Sequence, residues 1–219
     1  LDGIAVLGYF QDEFWEELKH LSLPKVLIDS YEFRALHFCN VGINDENAAY
    51  LATKHLITMG HRKVALITSE IMESGVNYHR YLGFKRAIEE SELEEEACPI
   101  ITTGINFKGG VQAGHTLLNS YPQVTAAFAV ADIIALGVIK LYHQIGKSIP
   151  KDLSLIGFDD LSVCQFSYPG LTTIRQDTFQ KGVEVARLLL ANVNGNGEIK
   201  EIELPVELIM RQTVQATLE

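Results

Sequence analysis

Short apolar runs alternate with longer segments of helical periodicity along this chain, and this alternation restricts the possible folds more than any other feature. Residues 26–28, 64–67, 125–130 and 153–157 are apolar runs too short for helices, and such runs are typical of buried strands. Strands that are apolar on both faces suit a parallel sheet covered by helices on both sides. The sequence therefore predicts an α/β protein with doubly wound parallel sheets, which bind ligands at the carboxyl ends of their strands.

Several segments between these runs carry helix signals. Residues 48–59 place apolar side chains at i, i+3 and i+4 spacing, and Gly60 follows as a stop. Asp132 is expected to cap a helix that reaches about Ile145, and a further helix is expected over residues 178–193. The order of strands and helices is the one that a doubly wound sheet requires.

Charge and cysteine content narrow the class of protein. The net charge of −10 argues against a DNA-binding face within these 219 residues, since gripping a phosphate backbone requires a basic surface. No apolar run is long enough to predict a membrane span. Cys39, Cys98 and Cys164 are widely spaced and odd in number, which favours free thiols in a reducing cytosol. We therefore expect a cytoplasmic protein with no membrane partner.

Motifs for catalysis and for cofactors are missing from the sequence. It contains no P-loop, GxSxG, HExxH or CxxC motif, and its seven histidines are scattered. We therefore expect no enzyme activity, no cofactor and no metal. Asp159 and Asp160 form a carboxylate pair at the end of a predicted strand, where an acid can serve catalysis or can accept hydrogen bonds from ligand hydroxyls.

Six motifs, in order and with matching spacing, resemble those of the LacI/GalR family of bacterial transcription regulators. They are residues 59–67 (MGHRKVALI), 79–84 (HRYLGF), 125–132 (TAAFAVAD) with 135–137 (ALG), 146–160 (GKSIPKDLSLIGFDD), 168–174 (YPGLTTI) and 210–211 (MR). The resemblance extends from Leu1 to about Arg211 and implies the effector-binding and dimerisation domain of a repressor.

The resemblance implies a fold like that of the type I periplasmic binding proteins, with two lobes joined by crossovers and an effector in the cleft. The expected N-terminal lobe is residues 1–44 plus 175–203, incomplete at its start, and the C-terminal lobe is residues 45–174 plus 204–219. A small sugar is the implied effector. Operator DNA is the implied partner of an absent N-terminal helix-turn-helix domain, and the domain is expected to form a homodimer.

Three effector-binding residues are implied by the same resemblance. Arg80 occupies the place of an effector-binding arginine, and its five fixed donors suit sugar hydroxyls or a carboxylate. A surface arginine near a helix start is the alternative. Asp159 matches a carboxylate that accepts hydrogen bonds from those hydroxyls, although capping of a turn would also explain it. Asp132 is explained equally well as a helix cap and as a ligand contact. Ala131 stands where the family often has asparagine, which removes one polar contact.

Four more residues are weaker candidates for effector binding. Ile105 falls where several relatives place an aromatic ring against the ligand, and nearby Phe107 is a possible substitute. Asp29 and Ser30 follow a predicted strand of the first lobe, where an ordinary turn is the alternative.

Two other functions stay open at the level of sequence. A sugar receptor of a transport system shares the implied fold, but it requires a signal peptide or lipid anchor upstream. A small α/β hydrolase using Asp159, Asp160 and a histidine such as His79 is a further alternative, although the sequence shows no nucleophile motif to support it.

Overall fold

The computed structural model describes residues 1–8, 10, 12–31, 36, 38–73 and 75–217. In chain order its helices and strands are β1 (Ile4–Leu7), α1 (Asp12–His20), β2 (Lys25–Ile28), β3 (Cys39–Ile43), α2 (Asp45–Thr58), β4 (Val64–Thr68), α3 (Val76–Glu89), β5 (Ile100–Thr102), α4 (Phe107–Ser120), β6 (Ala126–Ala129), α5 (Asp132–Gln144), β7 (Ser154–Asp159), β8 (Thr172–Gln176), α6 (Thr178–Val193), β9 (Glu201–Leu204) and β10 (Val206–Ile209).

The chain divides into two units, and it passes between them several times. Unit 1 comprises Leu1–Asn44, Glu73–Val76 and Gln176–Val206, and unit 2 comprises Asp45–Met72, Asn77–Arg175 and Glu207–Glu219. The boundary after Asn44 and the boundary after Arg175 therefore mark places where a continuous backbone leaves one unit for the other.

Unit 1 is built on a four-stranded sheet with the strand order β1-β2-β3-β9, in which all neighbouring strands are parallel. Helix α6 covers one face of the sheet, where Val185 and Leu188 pack with the buried strand residues Val26 and Val41. In a second apolar cluster of this unit, Trp15 and Leu18 of α1 pack with Val6 of β1 and Leu27 of β2. Apolar contacts on both sides of the short strands explain their uninterrupted apolar character.

Unit 2 is built on a six-stranded sheet with the order β10-β8-β7-β6-β4-β5. The pairs β4–β5, β4–β6, β6–β7 and β7–β8 are parallel. Residues of the central strands are almost completely buried, including Phe128 of β6 and Phe158 of β7. The predicted α/β class with parallel sheets is confirmed, and helix α6 spans the predicted residues 178–193.

Helices α4 and α5 approach each other through glycine. A Cβ atom placed on Gly137 of α5 would lie 2.4 Å from the carbonyl oxygen of Phe107 and 2.8 Å from the Cα atom of Gly110. These distances are too short for any side chain, so the two helices pack with their backbones in contact. In the described part of the chain, no helix is long and apolar enough to cross a membrane.

Candidate ligand-binding site

Five of the seven residues predicted to bind the effector lie in unit 2, beyond the carboxyl ends of its strands. Arg80 is in the helix that follows β4, Ile105 and Phe107 follow β5, Asp132 follows β6, and Asp159 ends β7. Since these strands are parallel, their carboxyl ends meet at one edge of the sheet. We refer to this as the carboxyl edge of unit 2. Asp29 and Ser30 follow β2 and belong to unit 1.

Arg80 is held firmly at the carboxyl edge. Its Nε donates to Oδ1 of Asp45 at 2.8 Å, and its Nη1 donates to the carbonyl oxygen of Val130 at 2.6 Å. The guanidinium carbon lies 3.7 Å from the centre of the Phe158 ring, a stacked cation–π arrangement. The residue is 8% exposed. Two of its five N–H groups are engaged in this way, and the fixed fork keeps the others in a defined orientation.

Two unsatisfied acceptors lie near the start of the same helix and were not singled out from the sequence. The Oδ1 atom of Asn77 and the Oγ1 atom of Thr68 are buried and have no hydrogen-bond partner among the described residues. The Nδ2 atom of Asn77 donates to Oγ of Ser69 at 2.6 Å, which fixes the amide in place. Buried polar atoms are normally paired, so these two favour a polar ligand or an ordered water at this edge. Asn77 lies three residues before Arg80 and therefore on the same face of the helix. This spacing is the sequence signal that could have indicated Asn77 as a site residue.

Asp159 and Asp160 form a turn with an unusual backbone. Their φ angles are 114° and 54°, both in the region that side chains other than glycine rarely adopt. Asp160 accepts from Nη2 of Arg211 at 2.6 Å and from Nε of Arg175 at 2.7 Å. Burial alone would raise the pKa of Asp160, but the hydrogen bonds from these two arginines outweigh burial and lower it. Asp160 is therefore an ionised anchor that fixes the neighbouring Asp159.

The prediction that Asp132 caps helix α5 is wrong. The capping position is Ala131, which has no side chain able to cap, and Asp132 is the first helical residue. Asp132 is fully buried; its Oδ1 accepts from the hydroxyl of Thr173 at 2.6 Å and its Oδ2 from the backbone N–H of Leu161 at 2.8 Å. With both oxygens engaged inside unit 2, its geometry is that of a residue that positions the turn after β7.

Burial of Asp132 leads to a prediction about pH. Desolvation raises its pKa to about 6, although the hydrogen bonds from Thr173 and Leu161 oppose the shift. The folded state therefore holds a proton between about pH 4 and 6 that the unfolded state releases, so this group's contribution to stability falls as pH rises through that window. In Asp132→Asn this contribution is absent. As the pH rises from 4 to 6, we expect the free energy of unfolding of the variant to increase relative to that of wild type, by at most about 3 kcal/mol.

Urea denaturation of both proteins at several pH values measures this difference. Other carboxyl groups titrate in both proteins and cancel in the comparison. Parallel stability curves across the whole range would show that Asp132 titrates normally in the folded state.

Ile105 and Phe107 add an apolar surface to the carboxyl edge. They are 50% and 44% exposed, and between them Asn106 caps helix α4 by accepting from the backbone N–H of Gly109 at 2.8 Å. An exposed pair of apolar side chains beside fixed polar groups can contact the C–H face of a sugar ring.

The two candidates in unit 1 are Asp29, whose carboxylate is engaged within that unit, and Ser30, which is buried. Both carboxylate oxygens of Asp29 accept from Nζ of Lys181 at 2.7 Å, and Nζ also donates to Oε1 of Gln176 at 2.6 Å. Ser30 is buried, and its backbone N–H donates to Oδ1 of Asn40 at 3.3 Å. Asp29 therefore compensates a buried lysine, and this explains its presence at the strand end without a ligand.

Chemistry at the carboxyl edge is that of recognition. Within the described residues, no group of three or more histidine, cysteine or acidic side chains could hold a metal ion. Fixed donors of Arg80, the Asp159 carboxylate, buried acceptors and an apolar patch are suited to holding a small polar molecule. The fold and this edge together define the class of α/β ligand-binding proteins.

Comparison with known proteins agrees with this class and identifies the family. Residues 53–214 match the periplasmic binding protein-like domain. The chain belongs to this family, in the form found as the effector-binding domain of LacI/GalR-type regulators.

Individual relatives extend the match over nearly the whole chain. The HTH-type transcriptional repressor PurR of Haemophilus influenzae strain PittEE is 30% identical over 227 residues, covering all of this chain and 66% of the relative. The ribose operon repressor of Haemophilus influenzae strain Rd is 33% identical over 195 residues, covering 89% of this chain and 58% of the relative. A LacI family regulator from Enterococcus faecium, solved with bound ribose, aligns with a TM-score of 0.88 at 30% identity, covering 99% of this chain and 81% of that chain. The chain thus spans 58–66% of the length of these two curated relatives.

Proposed function

We propose that this chain is the sugar-sensing part of a transcriptional repressor and that the carboxyl edge of unit 2 binds the sugar. The observation that carries the proposal is the guanidinium of Arg80, which is fixed by Asp45, Val130 and Phe158. Only two of its five N–H groups have a hydrogen-bond partner among the described residues. Preorganised donors bind a ligand without a further ordering cost. The proposed partners of these donors are sugar hydroxyl groups.

The proposed ligand is a small neutral sugar of the size of ribose. Arg80 donates to its hydroxyls, the carboxylate of Asp159 accepts from them, and Ile105 with Phe107 covers an apolar face of the ring. Asp132 and Asp29 act indirectly in this proposal, because their oxygens are engaged within their own units. The ribose named with the Enterococcus faecium regulator and with the ribose operon repressor supports this choice of sugar.

The proposed output is a change in binding to operator DNA. This function needs a separate DNA-binding domain, because the net charge of −10 argues against a DNA-binding face within these residues. The sugar must bind one arrangement of the protein better than another, and the crossovers after Asn44 and Arg175 are the proposed hinges.

A homodimer is the proposed assembly. Unit 2 exposes apolar side chains in one short segment after β7, where Phe166 is 79% and Tyr168 is 92% exposed. Leu161 and Val163 of the same segment are also exposed. Clustered exposed apolar residues favour a protein–protein contact, and a second copy of the chain is the proposed occupant.

Isothermal titration calorimetry with ribose tests the proposed site. We expect saturable binding by the wild-type chain and a loss of affinity of about 100-fold or more in a variant that combines Arg80→Lys with Asp159→Asn, since fixed hydrogen bonds to both groups are lost. Glu96→Gln, which changes an exposed acidic residue away from the edge, serves as the control and should bind as wild type does. Unchanged binding by the double variant would refute the site, and conversion of the bound sugar into a product would revive the hydrolase alternative.

A further inference from the structure

Asp45 is the partner of Arg80, and it was not singled out from the sequence. Asp45 is the first residue of α2, and its side chain is 1% exposed, against 10% for that of Arg80. Its Oδ1 lies 2.8 Å from Nε of Arg80. At this distance and depth the carboxylate compensates the charge of the guanidinium closely, because little water is present to screen either group.

In the described part of the chain, the cations near this edge are already matched by carboxylates. His79 lies near Asp45, and burial lowers its pKa, although Asp45 and Glu46 oppose the shift. The imidazole is therefore mostly neutral at pH 7.5. The Glu46 carboxylate forms an ion pair with Arg86. Asp159 adds a negative charge next to Phe158. Arg175, its partner in the β7–β8 register, is already paired with Asp160 and Glu207.

We propose that Asp45 is a specificity-determining residue, which makes the Arg80 donors selective for neutral sugars over sugar phosphates. With Asp45 present, Arg80 offers hydrogen bonds without a net positive charge. A phosphate group then meets the carboxylates of Asp45 and Asp159 with no uncompensated cation to offset the repulsion and the lost hydration. This inference rests on the proposed function, since it concerns the ligand of the same edge.

Removing the charge of Asp45 should shift this selectivity. In Asp45→Asn the amide oxygen still accepts from Nε of Arg80, so the fork keeps its orientation, but the guanidinium now carries an uncompensated positive charge. A nearby phosphate gains attraction that a neutral sugar does not. We expect the ratio of ribose affinity to ribose 5-phosphate affinity to fall by about tenfold or more.

The test compares the calorimetric affinities of ribose and ribose 5-phosphate at pH 7.5 for the 219-residue chain and its variants. Wild type should prefer ribose, and Asp45→Asn should lose much of that preference. The adjacent Glu46→Gln, which also removes one negative charge but from a partner of Arg86, is the matched control and should keep the wild-type ratio. Asp45→Glu keeps the charge and should also retain the preference for ribose. Circular dichroism verifies that each variant is folded.

The outcomes separate this inference from the proposed function. If wild type binds ribose but Asp45→Asn keeps the wild-type ratio, Asp45 does not set specificity, while the sugar-binding proposal stands. A wild-type preference for ribose 5-phosphate overturns the inference, even if Asp45→Asn does not fold. Loss of the preference for ribose in Asp45→Glu also overturns it. Wild-type protein that binds neither compound contradicts the proposed function itself.

Discussion

Arg80→Ala is expected to lower the free energy of unfolding by about 3–5 kcal/mol, as well as to remove ribose binding. The substitution leaves Asp45, whose side chain is 1% exposed, as a buried charge without its cationic partner. The carbonyl oxygen of Val130 also loses a donor, and the Phe158 ring loses its stacked neighbour. Chemical denaturation monitored by circular dichroism measures the change.

Arg86→Ala provides the comparison for this loss. Arg86 lies in the same helix, pairs with Glu46 and covers the ring of Tyr50, but its side chain is 38% exposed. Its removal should lower the free energy of unfolding by about 1 kcal/mol or less.

A double variant, Arg80→Met with Asp45→Leu, removes both buried charges and should recover much of the stability lost in Arg80→Ala. Equal losses in Arg80→Ala and Arg86→Ala would show that the buried pair has no special energetic role.

Gly137→Ala is the second substitution with a large expected effect. The added methyl group would overlap the carbonyl oxygen of Phe107, so α4 and α5 must move apart along their contact. We expect a loss of about 3 kcal/mol in the free energy of unfolding, measured by urea denaturation. Since α5 begins at Asp132, the same displacement should weaken ribose binding.

Gly182→Ala is the matched control for this prediction. Gly182 is also inside a helix, α6, but a Cβ atom there would meet no described atom within 4 Å other than the nearby backbone of its own helix. Alanine should therefore stabilise the protein by up to about 1 kcal/mol, through higher helix propensity alone. If both substitutions stabilise the protein, the close approach of α4 and α5 is not essential to the fold.

The sequence predicted the fold class well because the relevant signals are local. Apolar runs marked the central strands, and the helical period with flanking stop residues marked α2, α5 and α6. Helix α4 was not predicted, since Gly109, Gly110 and Gly114 lower its propensity and obscure its period. Gly110 and Gly114 are needed because α5 approaches closely, and Gly109 leaves room for the backbone of Gly104. Both causes become visible only in the packed structure.

The candidate site was predictable only in part, for a similar reason. Motif resemblance pointed to Arg80 and Asp159, but the partners that hold them come from distant positions in the chain. Asp45 precedes Arg80 by 35 residues, and Arg211 follows Asp160 by 51. Asp132 looked like a helix cap, because an acidic residue at a helix start is most often one. Which donors a buried carboxylate accepts hydrogen bonds from is decided by tertiary packing and not by neighbouring sequence.

A crystal structure of this chain grown with ribose would locate the bound sugar. We expect ordered sugar at the carboxyl edge of unit 2, with hydroxyl oxygens within hydrogen-bond distance of both the Arg80 guanidinium and the Asp159 carboxylate. Sugar bound elsewhere, or an edge in which neither group contacts the bound ribose, would contradict the proposed site.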